Sequence, residues 1–262
     1  MRLLAHIACI LLSLVSYAWA AGTVPAGQEP KTMEMRKGAF TAAGKGFYLD
    51  PRMDSLSQVS AATLAGRLSL VSGKISTVVT GVSAAAEPPD KGLVFLVDPD
   101  QASEAFKLDV TPARLLVKAS DTRGFIYAVQ TVMQMMPPEV SERVANVLPR
   151  IPVPCALVED WQDEAERTHE IDCVSQWLEP SALRDSLAHM VRDRKNVLVW
   201  RMRDSRSWMK ALASDPVLAE KWAYAAFSGN ATREGDFYTD EQIAQVLSAA
   251  KSYAIEVYQI IY

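Results

Sequence analysis

Histidine and cysteine are scarce in this 262-residue chain, at three each, and where they fall limits the chemistry available to it. His6, His169 and His189 stand alone, so no metal-ligand spacing can be argued from them. No Ser-His-Asp or Cys-His constellation and no phosphate-binding loop is found, and nothing calls for a cofactor. There is no long basic run and the net charge is only -4, which argues against nucleic acid as a partner. Low-complexity segments and repeats of fixed period are also missing. At 49% hydrophobic and 22% charged residues, the chain has the composition of one large globular domain or two ordinary ones.

The longest apolar run, Leu3 to Val15, is too short to span a bilayer. It follows Arg2 and precedes Ala18-Trp19-Ala20, the small-x-small form that signal peptidase accepts. Residues 1–20 are therefore expected to be a signal peptide, with the mature chain starting at Ala21 and placed outside the cytoplasm, secreted or periplasmic. Cys9 is not read as a lipid anchor, because His6-Ile7-Ala8 before it lacks the usual leucine. Export would put Cys155 and Cys173 where a disulfide can persist, and they are read either as that bond or as two buried thiols.

Residues 21–37 mix Gly, Pro, Lys and Glu without periodicity and read as a tether. Strand-like pieces follow around Phe40 and Phe47-Tyr48. Asp54 or Ser55 opens a helix to Ser72, with Leu56, Val59, Thr63, Leu64, Leu68 and Val71 near one face and Gly73 as its stop. Thr77–Val82 and Leu93–Val97 read as strands. Phe106, Leu108 and Val110 alternate with Lys107 and Asp109, Thr111-Pro112 supplies a turn, and Leu115–Ala119 completes a hairpin. Ser120 or Asp121 then caps a helix whose Phe125, Val129, Val132, Met133 and Met136 share a face, stopped by Pro137-Pro138. This is an α+β domain over residues 38–150, a sheet with two helices on one face.

Val147–Pro154, with three prolines, reads as the linker to a second rhythm. Thr168–Val174 is a strand, Ser181–Arg194 a helix and Asn196–Met202 a nearly continuous apolar strand. Thr239 and Gln242 form a capping box before a helix lined by Ile243, Val246, Leu247 and Ala250, and Ile255–Tyr262 is a third strand. Residues 151–262 thus wind as a partial (β/α) TIM-type barrel of about three strands.

Ser103-Glu-Ala-Phe-Lys-Leu-Asp-Val-Thr-Pro and Gly124-Phe-Ile-Tyr-Ala-Val-Gln-Thr131 resemble the end of the accessory domain that precedes the barrel in bacterial β-N-acetylhexosaminidases of glycoside hydrolase family 20. Around the first barrel strand the family pattern is Arg-Gly-x-x-Leu-Asp-x-Ser-Arg-His-Phe, and the chain has Arg167 to Trp177, with Ser175 where the sugar-binding arginine would stand; a one-residue shift puts Gln176 there. At the second strand, Asn-x-x-His-x-His-Leu-x-Asp-Asp-Gln-Gly-Trp-Arg becomes Asn196 to Met209, with both histidines replaced, by Val199 and Arg201. Asp236-Phe-Tyr-Thr239 and Ile255-Glu-Val257 match later family segments.

The resemblance implies removal of terminal N-acetylglucosamine or N-acetylgalactosamine from glycans, with N-acetylhexosamine glycans as partners. Such enzymes use the substrate's acetamido oxygen as nucleophile, oriented by an Asp beside a general-acid Glu. That pair lies on a later strand than this chain contains, so no catalytic residue is assigned and enzymatic activity is left undecided. Asp204 and Trp208 match family positions and are the candidate substrate-binding residues. Each has a plain alternative: Asp204 as a loop carboxylate paired with Arg201, Arg203 or Arg206, and Trp208 as packing. Asp160, Asp163, Glu164 and Glu166 read as solvated linker charge. Self-association, or a partner chain at the open barrel edge, is expected. The rival readings are a non-catalytic carbohydrate-binding or protein-interaction module, or a truncated gene product.

Overall fold

The computed structural model describes residues 29–81, 89–174, 177–202 and 238–261. The chain divides into two units between Asp163 and Glu164. The expected signal peptide falls outside the described residues.

The first unit is built on a seven-stranded sheet of β1 (Thr32–Thr41), β2 (Phe47–Leu49), β3 (Val78–Thr80), β4 (Gly92–Val97), β5 (Phe106–Val110), β6 (Arg114–Ala119) and β7 (Pro152–Asp160). Their order across the sheet is β1-β7-β5-β6-β4-β2-β3. From β1 to β6 neighbours are antiparallel, and from β6 to β3 they are parallel. Alternation fixes which side faces the core. Leu49, Phe95, Val117, Leu108 and Val158 are successive cross-strand partners and all are buried. Lys107, between such positions, instead pairs with Glu159 at 2.5 Å, and Arg36 pairs with Asp109 at 2.9 Å. Phe47 stacks on Phe95 and Phe95 meets Phe125, with ring centroids 6.0 and 6.5 Å apart.

Helices α1 (Ser55–Ser72) and α2 (Thr122–Gln134) pack on each other, and a short α3 (Pro138–Glu142) follows. Asp54 caps α1 by accepting the amides of Leu56 and Ser57, and Gly73, at φ 68°, ends it in the left-handed conformation that glycine adopts at least cost. The buried stripe of α1 is Ser57, Ala61, Leu64, Ala65, Leu68 and Val71. Val59 and Thr63, expected inside, are exposed, because at about 100° per residue they turn away from the stripe that runs through Ala61, Leu64 and Leu68. Asp121 caps α2 through the Gly124 amide and also accepts from the Ser103 hydroxyl and the Glu104 amide, tying the approach to β5 to the start of the helix. A Cβ on Gly124 would stand 2.6 Å from the Ala105 carbonyl oxygen. This close approach is a physical reason for glycine at the head of the Gly-Phe-x-Tyr motif.

Two boundaries differ from the sequence reading. Strand β1 starts at Thr32, inside the segment read as a tether. The proline-bearing stretch read as a linker at 147–154 runs into β7, which pairs with β1 and β5, so the first sheet extends past residue 150 to Asp160. Pro152 and Pro154 are accommodated because β5 pairs only with Ala156–Asp160, leaving the proline end of β7 bonded on one side, beside the register shift in β1.

The second unit holds β8 (Thr168–Asp172), α4 (Pro180–Arg192), β9 (Val197–Met202), α5 (Asp240–Ser252) and β10 (Glu256–Ile261). The three strands are parallel, in the order β10-β9-β8. The Thr239–Gln242 capping box starts α5 as expected. Val246 and Ala250 are buried, whereas Leu247 is exposed, one helical step off the inner stripe. Cys155 and Cys173 are both buried, and both are free thiols in this structure.

Candidate functional site

In a parallel sheet with helical crossovers, the N-terminal ends of the strands serve stability and the C-terminal ends carry sites. The second unit shows the stabilising end directly. At the N-terminal end, Arg167 and Asn196 hold the chain entering β8 against the chain entering β9. The Asn196 side chain accepts the Arg167 amide at 2.8 Å and donates to the Ala165 carbonyl at 2.7 Å. The Arg167 guanidinium donates to the carbonyls of Arg194 and Glu164. Both residues match the family pattern, and their work is architectural.

At the C-terminal end the Asp172 carboxylate accepts the Val174 amide at 2.8 Å, and the Cys173 amide donates to the Arg201 carbonyl at 2.8 Å, continuing the ladder beyond β8. Arg201 donates to Glu170 on the adjacent strand at 3.1 Å. Strand β9 alternates: Leu198, Trp200 and Met202 are fully buried, while Val199 and Arg201 are half-buried on the opposite face. The positions that the family pattern fills with histidines therefore lie on the more open face, together with Glu170 and Asp172.

The buried face carries an aromatic cluster that the sequence reading did not single out. Tyr238 stacks against Trp177 at 5.8 Å and meets Trp200 edge-on at 5.0 Å. Its hydroxyl donates to the Leu178 carbonyl at 2.5 Å and accepts the Leu178 amide. Burial, then the neighbouring Cys173 thiol, pushes the phenol well above its ordinary range, so it stays protonated. The signal was present in the Phe-Tyr-Thr match, whose tyrosine pins the stretch after β8 from the start of α5. This cluster packs; it offers no titrating group.

Asp204 and Trp208, and Ser175 and Gln176, lie outside the described residues. The acidic group at 160–166 is not uniformly solvated as expected. Asp160 closes β7, is buried and accepts the Lys31 amide at 3.3 Å. Asp163 pairs with the Lys31 ammonium, which holds its carboxyl below the usual range. No group of three or more metal-ligating side chains occurs among the described residues, and no described helix is long and apolar enough to cross a membrane.

Comparison with known proteins agrees with this division. The family model Glycosyl hydrolase family 20, domain 2 matches residues 29–161, and Glycosyl hydrolase family 20, catalytic domain, matches residues 166–261. A Beta-hexosaminidase of Vibrio furnissii is 24% identical over 182 residues, covering 65% of this chain and 28% of that protein. One of Porphyromonas gingivalis is 23% identical over 154 residues, covering 59% and 20%. The structure of Streptomyces plicatus N-acetyl-beta-hexosaminidase in complex with Thio-NAglucal matches with a TM-score of 0.67 at 19% identity, covering 90% of this chain and 46% of that one. The chain thus spans less than half of each of these relatives. With one model of the family matching half of its residues and a second most of the remainder, the chain belongs to glycosyl hydrolase family 20.

Proposed function

We propose that this chain recognises terminal N-acetylhexosamine residues of glycans, outside the cytoplasm, and that its 262 residues do not hydrolyse them unaided. The observation that carries the reading is where substitution falls along the β8–β9 pair. The Arg167–Asn196 clamp at the N-terminal end is kept, whereas further along the sequence the pattern's Arg, His and His are Ser175, Val199 and Arg201. Asp204 and Trp208 remain the proposed sugar contacts. The second unit is read as the opening strands of a (β/α) barrel, and the orienting Asp and general-acid Glu of the family's reaction have no assigned counterpart in these residues.

The test is release of p-nitrophenol from the aryl N-acetyl-β-glucosaminide alongside binding of N-acetylglucosamine. The expected outcome is no turnover with weak, saturable binding, on the order of millimolar for so few contacts. Turnover that disappears in Asp204→Ala would overturn the non-hydrolytic reading. Export rests on the Arg2, Leu3–Val15 and Ala18-Trp19-Ala20 pattern, and the N-terminus of the exported protein is expected at Ala21.

Self-association belongs to the same proposal. Among the described residues β10 pairs only with β9, and Tyr258, Ile260 and Ile261 on it are 52%, 40% and 48% exposed. An apolar edge strand of this kind recruits another strand. Sedimentation of the 262-residue polypeptide should show concentration-dependent association that Ile260→Lys reduces; a monomer at all concentrations removes this part of the proposal.

A further inference from the structure

The seven-stranded sheet of the first unit ends in two edges of opposite character. At one, β1 carries Glu34, Arg36 and Lys37, all exposed, and its pairing with β7 shifts between Met35 and Ala39, where Gly38 stands at φ 103°. Charge and a bulge are what keep an edge strand from pairing with another molecule. At the other edge, β3 reads Val-Val-Thr, and the sequence from Ile75 to Ala86 contains no charged residue. Ile75, Val78 and Val79 are 82%, 40% and 46% exposed. Val78 and Val79 point to opposite faces, so β3 is open on both, and among the described residues it pairs with β2 only. Backbone direction fixes which polar groups are left over. The Thr77 carbonyl accepts the Phe47 amide at 2.8 Å and the Gly81 amide donates to the Leu49 carbonyl at 3.1 Å, both toward β2. By the two-residue alternation of a strand, Val79 also turns its amide and carbonyl to β2, and Val78 and Thr80 turn theirs outward.

We propose that β3 pairs antiparallel with β3 of a second copy of this chain, about a two-fold axis at Val79. In this register Val78 exchanges two backbone hydrogen bonds with the second copy's Thr80, Thr80 does the same with the second copy's Val78, and Val79 faces its own counterpart. The row of Val79, Tyr48 and Val94 then runs on into the same row of the second copy, so one row crosses both sheets. A second copy is the occupant that this edge suits. An uncharged strand meets no like charge when it pairs with itself, and an antiparallel pair of identical strands is self-complementary by symmetry. Pairing of β3 with β1 of another copy would instead build an open filament, and the charges and bulge of β1 oppose it. The closed two-fold pair remains. With three residues in the strand the contact is a transient one, burying less than the ~1,000 Å² of a stable interface.

The experiment uses the full chain carrying Ile260→Lys, to remove association through β10, and Cys9→Ser, which leaves the buried Cys155 and Cys173 as its cysteines. Circular dichroism confirms that each further variant is folded. A non-hydrogen-bonded antiparallel pair has Cα atoms about 4.5 Å apart, within reach of a disulfide, whereas Val78 would stand two residues off its counterpart, beyond the limit of about 7 Å. Under mild oxidation Val79→Cys is therefore expected to form a disulfide-linked dimer about tenfold faster than Val78→Cys. In sedimentation, Val79→Lys is expected to abolish the concentration-dependent association of this background, and Val79→Thr to retain it, because a charge blocks an edge and a β-branched side chain does not. Equal cross-linking of the two cysteine variants, or none by either, would overturn the β3 pair. Association that Val79→Lys leaves untouched would also overturn it and would place the contact elsewhere in the chain. A background that is monomeric at every concentration would overturn it as well, and would leave the glycan reading intact, since that reading makes no use of β3.

Discussion

The two units of this chain solve the same problem, burying one side of a sheet, with unequal completeness. In the first, β7, β5, β6, β4 and β2 each have a neighbour on both sides, and the helices bring a continuous buried row against them. In the second, among the described residues, β9 is the strand paired on both sides, and β10 leaves large apolar side chains exposed. Gly124, Arg167 and Asn196, which match the family pattern, do architectural work. The Gly124 approach, the Asp121 cap and the Arg167–Asn196 clamp are geometric requirements that tolerate few substitutes. A side chain on the more open face of a strand can change at less structural cost.

The largest expected effect breaks the first unit and spares the second. Phe95 touches both Phe47 and Phe125 and is fully buried, so Phe95→Ala should remove about 3–5 kcal/mol from the unit that contains it. Urea unfolding followed by tryptophan fluorescence should show one transition moving and the other staying. Limited proteolysis of the parent should leave a fragment ending near Asp163 and not near residue 150, since β7 belongs to the first sheet. A single transition shifted as a whole would mean that the two units unfold as one.

Much of this architecture was legible because the period of the apolar residues is a local property. The β5–β6 hairpin, the helix starts at Asp54 or Ser55 and at Ser120 or Asp121, and the Thr239 capping box needed only neighbours in sequence; the structure gives the two caps to Asp54 and Asp121. What escaped was set at a distance. Strand β1 is exposed almost throughout, so the short alternation of Met33 and Met35 marks no buried face, and it is a strand because β7 offers it hydrogen bonds. Strand β7 was obscured by prolines that usually mark loops, and only its one-sided pairing admits them. At the candidate site, Arg201 could be noticed as a replacement, but its pairing with Glu170 depends on strand register. The Tyr238 cluster joins residues some sixty positions apart and was likewise out of reach of local reading.

The second unit can be tested from its own clamp. Asn196→Ala leaves the Arg167 amide and the Ala165 carbonyl without the side chain that satisfies both, and Asn196 is 1% exposed. Leaving such groups unpaired costs about 1–3 kcal/mol. The transition assigned to the second unit should move by that amount while the Phe95-sensitive one does not. If both move equally, the clamp is not confined to one unit.

A smaller effect is expected to depend on pH. Burial pushes the Asp50 carboxyl up, but the side chain and amide of Arg52 and the amide of Val97 more than offset this and hold it below its usual range. Asp54 is lowered in the same way by Ser57 and Thr122, against its own burial. A carboxyl lowered in the folded state contributes stability that is complete above the unfolded value of about 3.9 and is lost as pH falls through the folded value. The first unit should therefore weaken progressively below about pH 4. Asp50→Asn should be less stable than the parent at pH 7 and lose less on acidification. Parallel stability curves for the two proteins would show that Asp50 is not the source of the acid sensitivity.

The smallest effect is expected on the outer side of the same sheet and sharpens the contrast with Asp50. Lys107 and Glu159 are close, at 2.5 Å, but their side chains are 40% and 42% exposed. Water screens such a pair and ordering two long side chains offsets most of the attraction, so exposed pairs contribute about 0.2–1 kcal/mol. A double-mutant cycle with Lys107→Ala and Glu159→Ala should give a coupling in that range, shrinking further at 1 M salt, where the screening length falls to about 3 Å. The Asp50 contribution, made by hydrogen bonds to a fully buried carboxylate, should change little with the same salt. A large, salt-resistant coupling between Lys107 and Glu159 would mean that this side of the sheet is shielded from solvent in the folded chain, and that the outer face, like the inner one, is part of a packed interface.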